Sequence, residues 1–338
     1  LVDFAKEHGL RYIQDAANNV ILFGNGTCGM EDHAAVILQG HMDMVCEKDM
    51  DCPLDMEKEG LDVTHDDKFV FAKGTTLGGD DGIAVAYALA LLADDTIPHP
   101  PLEVIITVDE EIGMLGADVI DLSELKGRTM INLDSEDEGI FLTSCAGGAR
   151  VNCRFPMKKQ ELTGVRYEVE VSGLLGGHSG GEIHKERGNS NCILGRLLWK
   201  LSEKIPVGLV SADGGLADNA IPRQTKAVVV VEEKDAESLE QQVAALAAEL
   251  GDELATKDPD VKVTAKRLAD TAETITCAAP EATKRVAAFL QATPNGVQAM
   301  SADMPGLVQT SLNLGILKAD AEVLRAEYSV RSSVESEK

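Results

Sequence analysis

Several features that define other classes of protein are missing from this sequence. It has no apolar run of about 18 residues, which is the length that a membrane-spanning helix needs. Its seven cysteines contain no C-x-x-C pair, and no signal peptide is visible at its start. We therefore predict that no segment crosses a membrane, and that the cysteines are reduced, mostly buried thiols of a cytoplasmic protein.

Basic side chains are also scarce. Only 31 lysines and arginines stand against 57 acidic residues, which gives a net charge of −26. Such a surface repels phosphates, so the composition argues against nucleic acid and anionic membranes as partners. What remains is a globular chain of 338 residues with 44% hydrophobic side chains, long enough for two domains with separate cores.

An apolar, β-branched run at residues 102–108 predicts a buried strand. Three carboxylates follow directly at its end, in Asp109, Glu110 and Glu111. Because burying adjacent carboxylates without partners is very costly, these side chains either face water or bind a cation.

Two other predicted strands end in candidate metal ligands. Residues 34–38 lead into His41 and Asp43, and residues 129–133 lead into Asp134. Alternate residues of an extended chain share a face, so Asp43 can orient the ring of His41 while that ring binds a metal. Taken alone, the pair is equally typical of a solvated surface.

Asp80 and Asp81 lie among glycines at the start of a predicted helix, residues 83–92, which is rich in alanine and leucine and expected to be mostly buried. Two interpretations stay open. Aspartate is a good N-cap because the free N–H groups and the helix dipole stabilise its charge, yet a cap needs one aspartate rather than two. No Gly-Lys-Ser or Gly-Lys-Thr follows, which excludes a phosphate-binding P-loop.

Strands that alternate with helices predict an α/β fold with a mostly parallel sheet, in which ligands bind at the carboxyl ends of the strands. That arrangement brings four segments to one place, namely those that contain His41 and Asp43, Asp80 and Asp81, Asp109 to Glu111, and Asp134. A histidine with several carboxylates is a ligand set for zinc or a related divalent ion. The carboxylates outnumber what one tetrahedral ion needs, so two ions about 3.5–4 Å apart are predicted.

The second half of the chain has a different pattern, and we place the domain boundary between residues 149 and 150. Alternating strands, a helix at residues 191–202 and a long helix at residues 235–256 predict an α/β sandwich. Ser238 and Gln241 have the spacing of a capping box for the long helix.

Five stretches carry a resemblance to a known family. They are Gly40-His41-Met42-Asp43, Leu77-Gly78-Gly79-Asp80-Asp81-Gly82-Ile83, Asp109-Glu110-Glu111, Asn132-Leu133-Asp134-Ser135-Glu136-Asp137-Glu138-Gly139 and Gly177-His178-Ser179-Gly180-Gly181. They resemble the di-zinc aminopeptidase and carboxypeptidase clan, and within it the aminoacyl-histidine dipeptidases, also called cytosolic non-specific dipeptidases or peptidase D. The resemblance implies a homodimer with a parallel-sheet catalytic domain at residues 1–149 and a lid and dimerisation domain at residues 150–338.

The resemblance also implies a ligand set for two metal ions. His41 and Asp134 bind the first zinc, Glu111 binds the second, and Asp80 bridges both. Cobalt and manganese are the alternatives to zinc.

The catalytic and substrate-binding residues follow from the same resemblance. Glu110 acts as the general base in the hydrolysis of dipeptides, of the Xaa-His type or of broad specificity, and Asp43 supports the histidine ligand. His178 and Asn219 contact the substrate, and Arg331 binds its C-terminal carboxylate, a task that suits a guanidinium. From its sequence context alone, His178 is equally typical of a solvated glycine-rich loop.

Other functions stay open at this point. A tripeptidase or an N-acyl amino-acid deacylase of the same clan is one alternative. The family's second zinc takes a further histidine from a later segment, but no histidine follows His184 here. We therefore expect that the C-terminal part of the catalytic domain is absent, and that this chain alone holds fewer than two tight zincs and shows negligible dipeptidase activity. A truncated, non-catalytic fragment that binds metal and dimerises is the remaining alternative.

Overall fold

A computed structural model of the chain describes residues 1–49, 52–135 and 139–338. The chain forms two compact units, the first unit at Leu1–Leu142 and the second unit at Thr143–Lys338. Residues 136–138 of the fourth family stretch lie outside the described residues. Among the residues that are described, no helix is both long and apolar enough to cross a membrane.

The first unit is built around a five-stranded sheet. Its described elements are the helices α1 (Val2–Glu7), α2 (Gly79–Ala93) and α3 (Leu115–Val119) and the strands β1 (Arg11–Gln14), β2 (Val20–Gly24), β3 (Val36–His41), β4 (Val63–His65), β5 (Val70–Ala72), β6 (Leu102–Thr107) and β7 (Thr129–Asn132). The sheet has the strand order β1-β2-β6-β3-β7, and β4 pairs with β5 in a separate hairpin.

The pairing directions decide where the acidic segments meet. β3 is parallel to both β6 and β7, whereas β2 is antiparallel to β1 and to β6. Four of these five strands therefore point the same way, and the prediction of a mostly parallel sheet is confirmed. The carboxyl ends of β3, β6 and β7 lie at one edge, so His41, Glu110 and Asp134 stand at or just after that edge.

The core of the first unit forms where the apolar patterns indicated. Every residue of β6 is buried. Helix α2 packs on the sheet through Ala84, Ala88 and Leu92, but Ile83 and Tyr87 are exposed. The prediction that this helix is mostly buried is therefore wrong, because only one of its faces contacts the sheet.

The second unit is an antiparallel sheet with packed helices. Its described elements are the helices α4 (Ser190–Ser202), α5 (Ala236–Glu253) and α6 (Pro280–Ala292) and the strands β8 (Gly147–Pro156), β9 (Lys159–Ser172), β10 (Gly177–His178), β11 (Gly208–Gly214), β12 (Ala220–Ile221), β13 (Thr225–Val231), β14 (Lys262–Arg267), β15 (Glu273–Ala278), β16 (Gly296–Met300), β17 (Val308–Ala319) and β18 (Val323–Ser332).

The main sheet of this unit runs β13-β9-β15-β11-β17-β18-β8, with β14 paired to β9 and β16 paired to β17. Apolar residues of all three helices, such as Leu197, Leu246 and Val286, form one core with sheet residues such as Val169 and Leu317. The predicted α/β sandwich is confirmed as helices packed on this sheet.

Two local predictions for the sequence fail. Helix α5 begins at Ala236, with Asp235 as an N-cap that makes no side-chain cap hydrogen bond. A 3₁₀ turn at Glu233–Asp235 leads directly into the helix, so Ser238 lies inside its first turn and the predicted capping box is wrong. All seven cysteines are free, as predicted, but only Cys277 is fully buried, so the expectation of mostly buried thiols is wrong as well.

Candidate metal centre

His41 is the last residue of β3 and is 1% exposed. Its ring Nδ1 lies 2.9 Å from the main-chain carbonyl oxygen of Asp43 and 3.4 Å from the Oδ1 of the same residue. A carbonyl can only accept, so Nδ1–H donates to it, and Nε2 is the nitrogen that is left for a metal. Nε2 lies 3.1 Å from Asp80 Oδ1.

Asp80 and Asp81 follow Gly79 at the start of α2, and both have non-helical backbone angles. Asp81 is 1% exposed, and its Oδ2 accepts a hydrogen bond from the main-chain N–H of His41 at 3.2 Å. A Cβ at position 40 would lie 2.5 Å from that oxygen, so the close approach of strand and helix needs Gly40. This contact of Asp81 was not predicted from the sequence, although its pairing with Asp80 between glycines was the available signal.

Glu110 and Glu111 lie in the turn after β6. Glu110 Oε2 is 3.9 Å from His41 Nε2. The main-chain N–H of Glu111 donates to Asp43 Oδ2 at 3.1 Å, so Asp43 contacts the histidine ligand with its carbonyl and the acidic turn with its carboxylate. Asp109, the first of the three carboxylates, is exposed with φ of +55°.

Two groups of potential ligands share His41. One consists of His41, Asp80 and Asp134, and the other of His41, Glu110 and Glu111; within each group the ligand atoms lie within 4.8 Å of one another. Asp43 Oδ1 is buried at the same place without a hydrogen-bond partner. One imidazole with several carboxylate oxygens suits zinc, cobalt or manganese, so the residues present fit a divalent metal.

The electrostatics of the cluster also favour a cation. Burial raises the pKa of Glu110, and the neighbouring carboxylates of Asp134 and Glu111 raise it further. Burial likewise raises the pKa of Asp81 to about 6. For His41, burial lowers the pKa, but the hydrogen bond to Asp80 and the surrounding carboxylates outweigh it and raise the pKa. The raised pKa values show that protonation relieves the repulsion among the carboxylates of the cluster. A bound cation would relieve the same repulsion.

His178, Asn219 and Arg331 all lie in the second unit. His178 in β10 pairs with Ala220 in β12, and Ser179 N–H donates to the carbonyl of Asn219 at 2.7 Å. The N–H of Gly181 donates to His178 Nδ1 at 3.2 Å, which leaves the proton of a neutral ring on Nε2. His178 is exposed, but partial desolvation of its ring lowers the pKa, and the charge of Arg331 lowers it further, so the ring is a neutral donor near pH 7.

Gly180 brings His178 and Arg331 together. A Cβ on Gly180 would lie 2.9 Å from His178 Cε1 and 3.0 Å from Arg331 Cζ. Arg331 lies in β18, and its Nε is buried without a hydrogen-bond partner. The absence of a side chain at this position therefore allows the imidazole and the guanidinium to approach the same point.

Asn313 holds the loop that carries Asn219 through hydrogen bonds to its main chain. Asn313 is 1% exposed, and its Nδ2 donates to the carbonyls of Asp218 at 2.9 Å and Ala220 at 2.8 Å. Arg150 also forms an ion pair with Asp218, with Nε 2.6 Å from Oδ2. Asn219 itself is exposed, so a rigid main chain presents its side chain to solvent.

Comparison with known proteins gives consistent results. Residues 169–258 match the peptidase dimerisation domain family, M20_dimer. Over 340 aligned residues the chain is 35% identical to the cytosol non-specific dipeptidase of Escherichia coli (strain K12), and the match covers 100% of this chain and 70% of that protein. The fold is similar to the crystal structure of the aminoacylhistidine dipeptidase from Vibrio alginolyticus, with a TM-score of 0.75 and 35% identity, over 99% of this chain and 68% of that one.

Proposed function

This chain belongs to the M20 family of metallopeptidases, and we propose on that premise that it hydrolyses dipeptides at the centre around His41. The observation that carries the proposal is the gathering of two ligand groups on that one histidine, with their ligand atoms within 4.8 Å of one another. The dipeptidase names of the relatives from E. coli and Vibrio alginolyticus support the substrate class.

We propose that the centre, when it also includes the family's further histidine, holds two divalent ions, with zinc preferred and cobalt or manganese as alternatives. His41 and Asp134 are assigned to the first ion, Glu111 to the second, and Asp80 to both. When bound, such ions polarise a scissile carbonyl and lower the pKa of a water molecule. The 3.1 Å approach of Asp80 to His41 Nε2 supports their role as neighbouring ligands.

Glu110 is proposed as the general base. It takes a proton from the attacking water and passes it to the leaving amine nitrogen. Burial raises its pKa, which moves the carboxylate towards the range where a base accepts a proton readily at neutral pH. Asp43 keeps the adjacent residues in place, since it accepts from Glu111 N–H and its carbonyl accepts from His41.

The second unit is proposed to supply substrate contacts and the dimer interface. In the homodimer, the neutral Nε2–H of His178 reaches the active site of the partner subunit and donates to the oxyanion that develops on the attacked carbonyl. Arg331 binds the C-terminal carboxylate of the dipeptide, and Asn219 contacts the substrate beside His178. The match of residues 169–258 to the peptidase dimerisation domain supports a homodimer through this unit. The cytosol named for the E. coli relative supports a cytoplasmic location.

Substrate profiling tests this function directly. A metal-loaded version of the protein that also carries the family's further histidine is expected to hydrolyse unblocked dipeptides, Xaa-His among them, and to lose that activity after chelation until zinc, cobalt or manganese is restored. Tripeptides and N-acyl amino acids are the matched comparison, because they separate a dipeptidase from a tripeptidase or a deacylase of the same family. Faster turnover of either comparison class would contradict the proposed substrate.

Replacing Gly180 with alanine is expected to impair substrate binding and turnover. The new Cβ would meet His178 Cε1 at 2.9 Å and Arg331 Cζ at 3.0 Å, so at least one of these side chains must move. A misplacement of about 1 Å costs about 100-fold in kcat/KM. Steady-state kinetics on a dipeptide measure the effect.

Gly181→Ala is the matched control for this substitution. Its Cβ would have no neighbour nearer than His178 Nδ1 at 3.8 Å, which is an ordinary contact distance. The control should therefore keep nearly the full kcat/KM. Equal losses in the two variants would show that general stiffening of the loop, not displacement of His178 and Arg331, causes the effect.

A further inference from the structure

Asn19 contacts the segment that carries the two glutamates of the metal centre. It ends the turn between β1 and β2 and is 1% exposed. Its Oδ1 accepts a hydrogen bond from the main-chain N–H of Val108 at 3.1 Å, and its Nδ2 donates to the carbonyl of Gly116 at 2.9 Å. Val108 and Gly116 are the two ends of the turn that contains Glu110 and Glu111.

The turn is closed at the point where Asn19 contacts it. Gly116 N–H donates to the carbonyl of Val108 at 3.1 Å, and Leu115 N–H donates to that of Asp109 at 3.0 Å. A Cβ on Gly116 would lie 2.5 Å from Asn19 Oδ1, so the amide occupies the space that this glycine leaves open. One side chain thus bridges both ends of the turn at its narrowest point.

Asn19 is itself held in one orientation. Asp15 Oδ2 accepts from Asn19 Nδ2 at 2.7 Å, and Asp15 Oδ1 accepts from the main-chain N–H of Asn19 at 2.9 Å. Both amide hydrogens therefore have acceptors, and the amide oxygen faces a main-chain donor. No rotation of the amide preserves this set, because the reversed amide would point its oxygen at the Asp15 carboxylate.

We propose that Asn19 is a positioning residue that fixes the Glu110–Glu111 turn for metal binding and proton transfer. The inference rests on the proposed function for the role of Glu110, whereas its structural part concerns only the turn. The physical reason is that a half-buried N–H and a buried carbonyl lose their partners together when the amide is removed. The turn must then rearrange to find new partners, and the two glutamates move with it.

Asn19→Ala removes both contacts, and Asn19→Asp keeps the acceptor for Val108 but loses the donor to Gly116 and to Asp15. Asn18→Gly is the control in the same turn. Asn18 is exposed, has φ of +75°, which glycine adopts freely, and forms a hydrogen bond with Gln14 rather than with the glutamate turn. Circular dichroism and thermal unfolding establish that each variant is folded, and Asn19→Asp remains informative if Asn19→Ala is not.

Three measurements on these proteins test the proposal. Loss of a residue that supports a metal ligand typically lowers metal affinity or activity by about 10- to 100-fold. Asn19→Ala should therefore lower the affinity for Co²⁺ or kcat by that amount, with little change in KM. Its bound Co²⁺ should show an altered visible spectrum. In the metal-free protein, the amides of residues 110–116 should exchange hydrogen faster. Asn19→Asp should show the same changes, because its second carboxylate oxygen would face the Asp15 carboxylate and the Gly116 carbonyl. Asn18→Gly should match the wild type.

The outcomes separate the inference from the proposed function. Altered Co²⁺ spectra and faster exchange in a protein without peptidase activity would support the positioning role and reject the dipeptidase. Unchanged kcat, Co²⁺ spectrum and exchange at residues 110–116 in either folded Asn19 variant, even with a lower melting temperature, would overturn the proposal and leave Asn19 as an ordinary turn residue.

Discussion

In a version of the protein that also carries the family's further histidine, Glu110→Gln is expected to abolish most turnover while the metal content stays at the wild-type level. Glutamine has nearly the same shape as glutamate but cannot accept the proton of the attacking water. General-base catalysis contributes about 10²–10⁴-fold, so kcat should fall by at least that range. The metal should stay because Glu110 is assigned to proton transfer, whereas the proposed metal ligands are His41, Asp80, Glu111 and Asp134.

Glu111→Gln is the matched comparison, since it makes the same chemical change one residue further along the turn. It should lose activity together with bound metal, because a neutral amide is a poorer ligand than a carboxylate. Metal content by atomic spectroscopy, measured beside kcat, separates the two variants. Equal metal loss in both would reject the division of roles between the two glutamates.

His178→Ala is expected to produce the second largest loss. Removing one donor to a developing oxyanion costs about 10²–10³-fold in kcat, and His178 is assigned as such a donor through its neutral Nε2–H. The metal content should be unaffected, because His178 is not among the assigned ligands. Partial desolvation and the charge of Arg331 lower the pKa of the ring, so kcat of the wild type should not depend on titration of His178 above pH 7.

His184→Ala controls for the removal of a histidine from the same region. His184 lies in a short 3₁₀ turn and has no assigned contact with metal or substrate, so its loss should leave kcat near the wild-type value. His178→Gln provides a further check, because its side-chain amide keeps an N–H donor and should restore part of the activity. If His178→Ala and His184→Ala had the same small effect, the oxyanion role of His178 would be rejected.

The part of the site that could be predicted from the sequence depends on local signals. A buried apolar run that ends in adjacent carboxylates marks a strand end, because those charges cannot enter the core. This logic located His41, Glu110 and Asp134 at one edge of a parallel sheet, and the structure gathers them there. The assignment of single roles came from family resemblance rather than from the pattern.

The supporting contacts could not be predicted, because they depend on partners far apart in the chain. Asn19 lies 89 positions from Val108, from whose main-chain N–H it accepts a hydrogen bond. Asp81 contacts the main chain of His41 across 40 positions, which an N-cap interpretation does not indicate. The capping box predicted at Ser238 failed for a different reason. The motif is local, but the 3₁₀ turn that precedes the helix moves the helix start upstream and places Ser238 inside it.

Zinc binding to the metal-free 338-residue chain tests the central claim most directly, with His41→Ala and His65→Ala measured beside the wild type. His65 is an exposed histidine at the end of β4, so it controls for the loss of any imidazole. Saturable binding is predicted for the wild type and for His65→Ala. His41→Ala should lower the affinity for zinc by more than about 100-fold, because loss of a residue that only supports a metal ligand already costs up to about that much. Equal affinity in His41→Ala and wild type, or no saturable binding by the wild type, would contradict a metal centre built on His41.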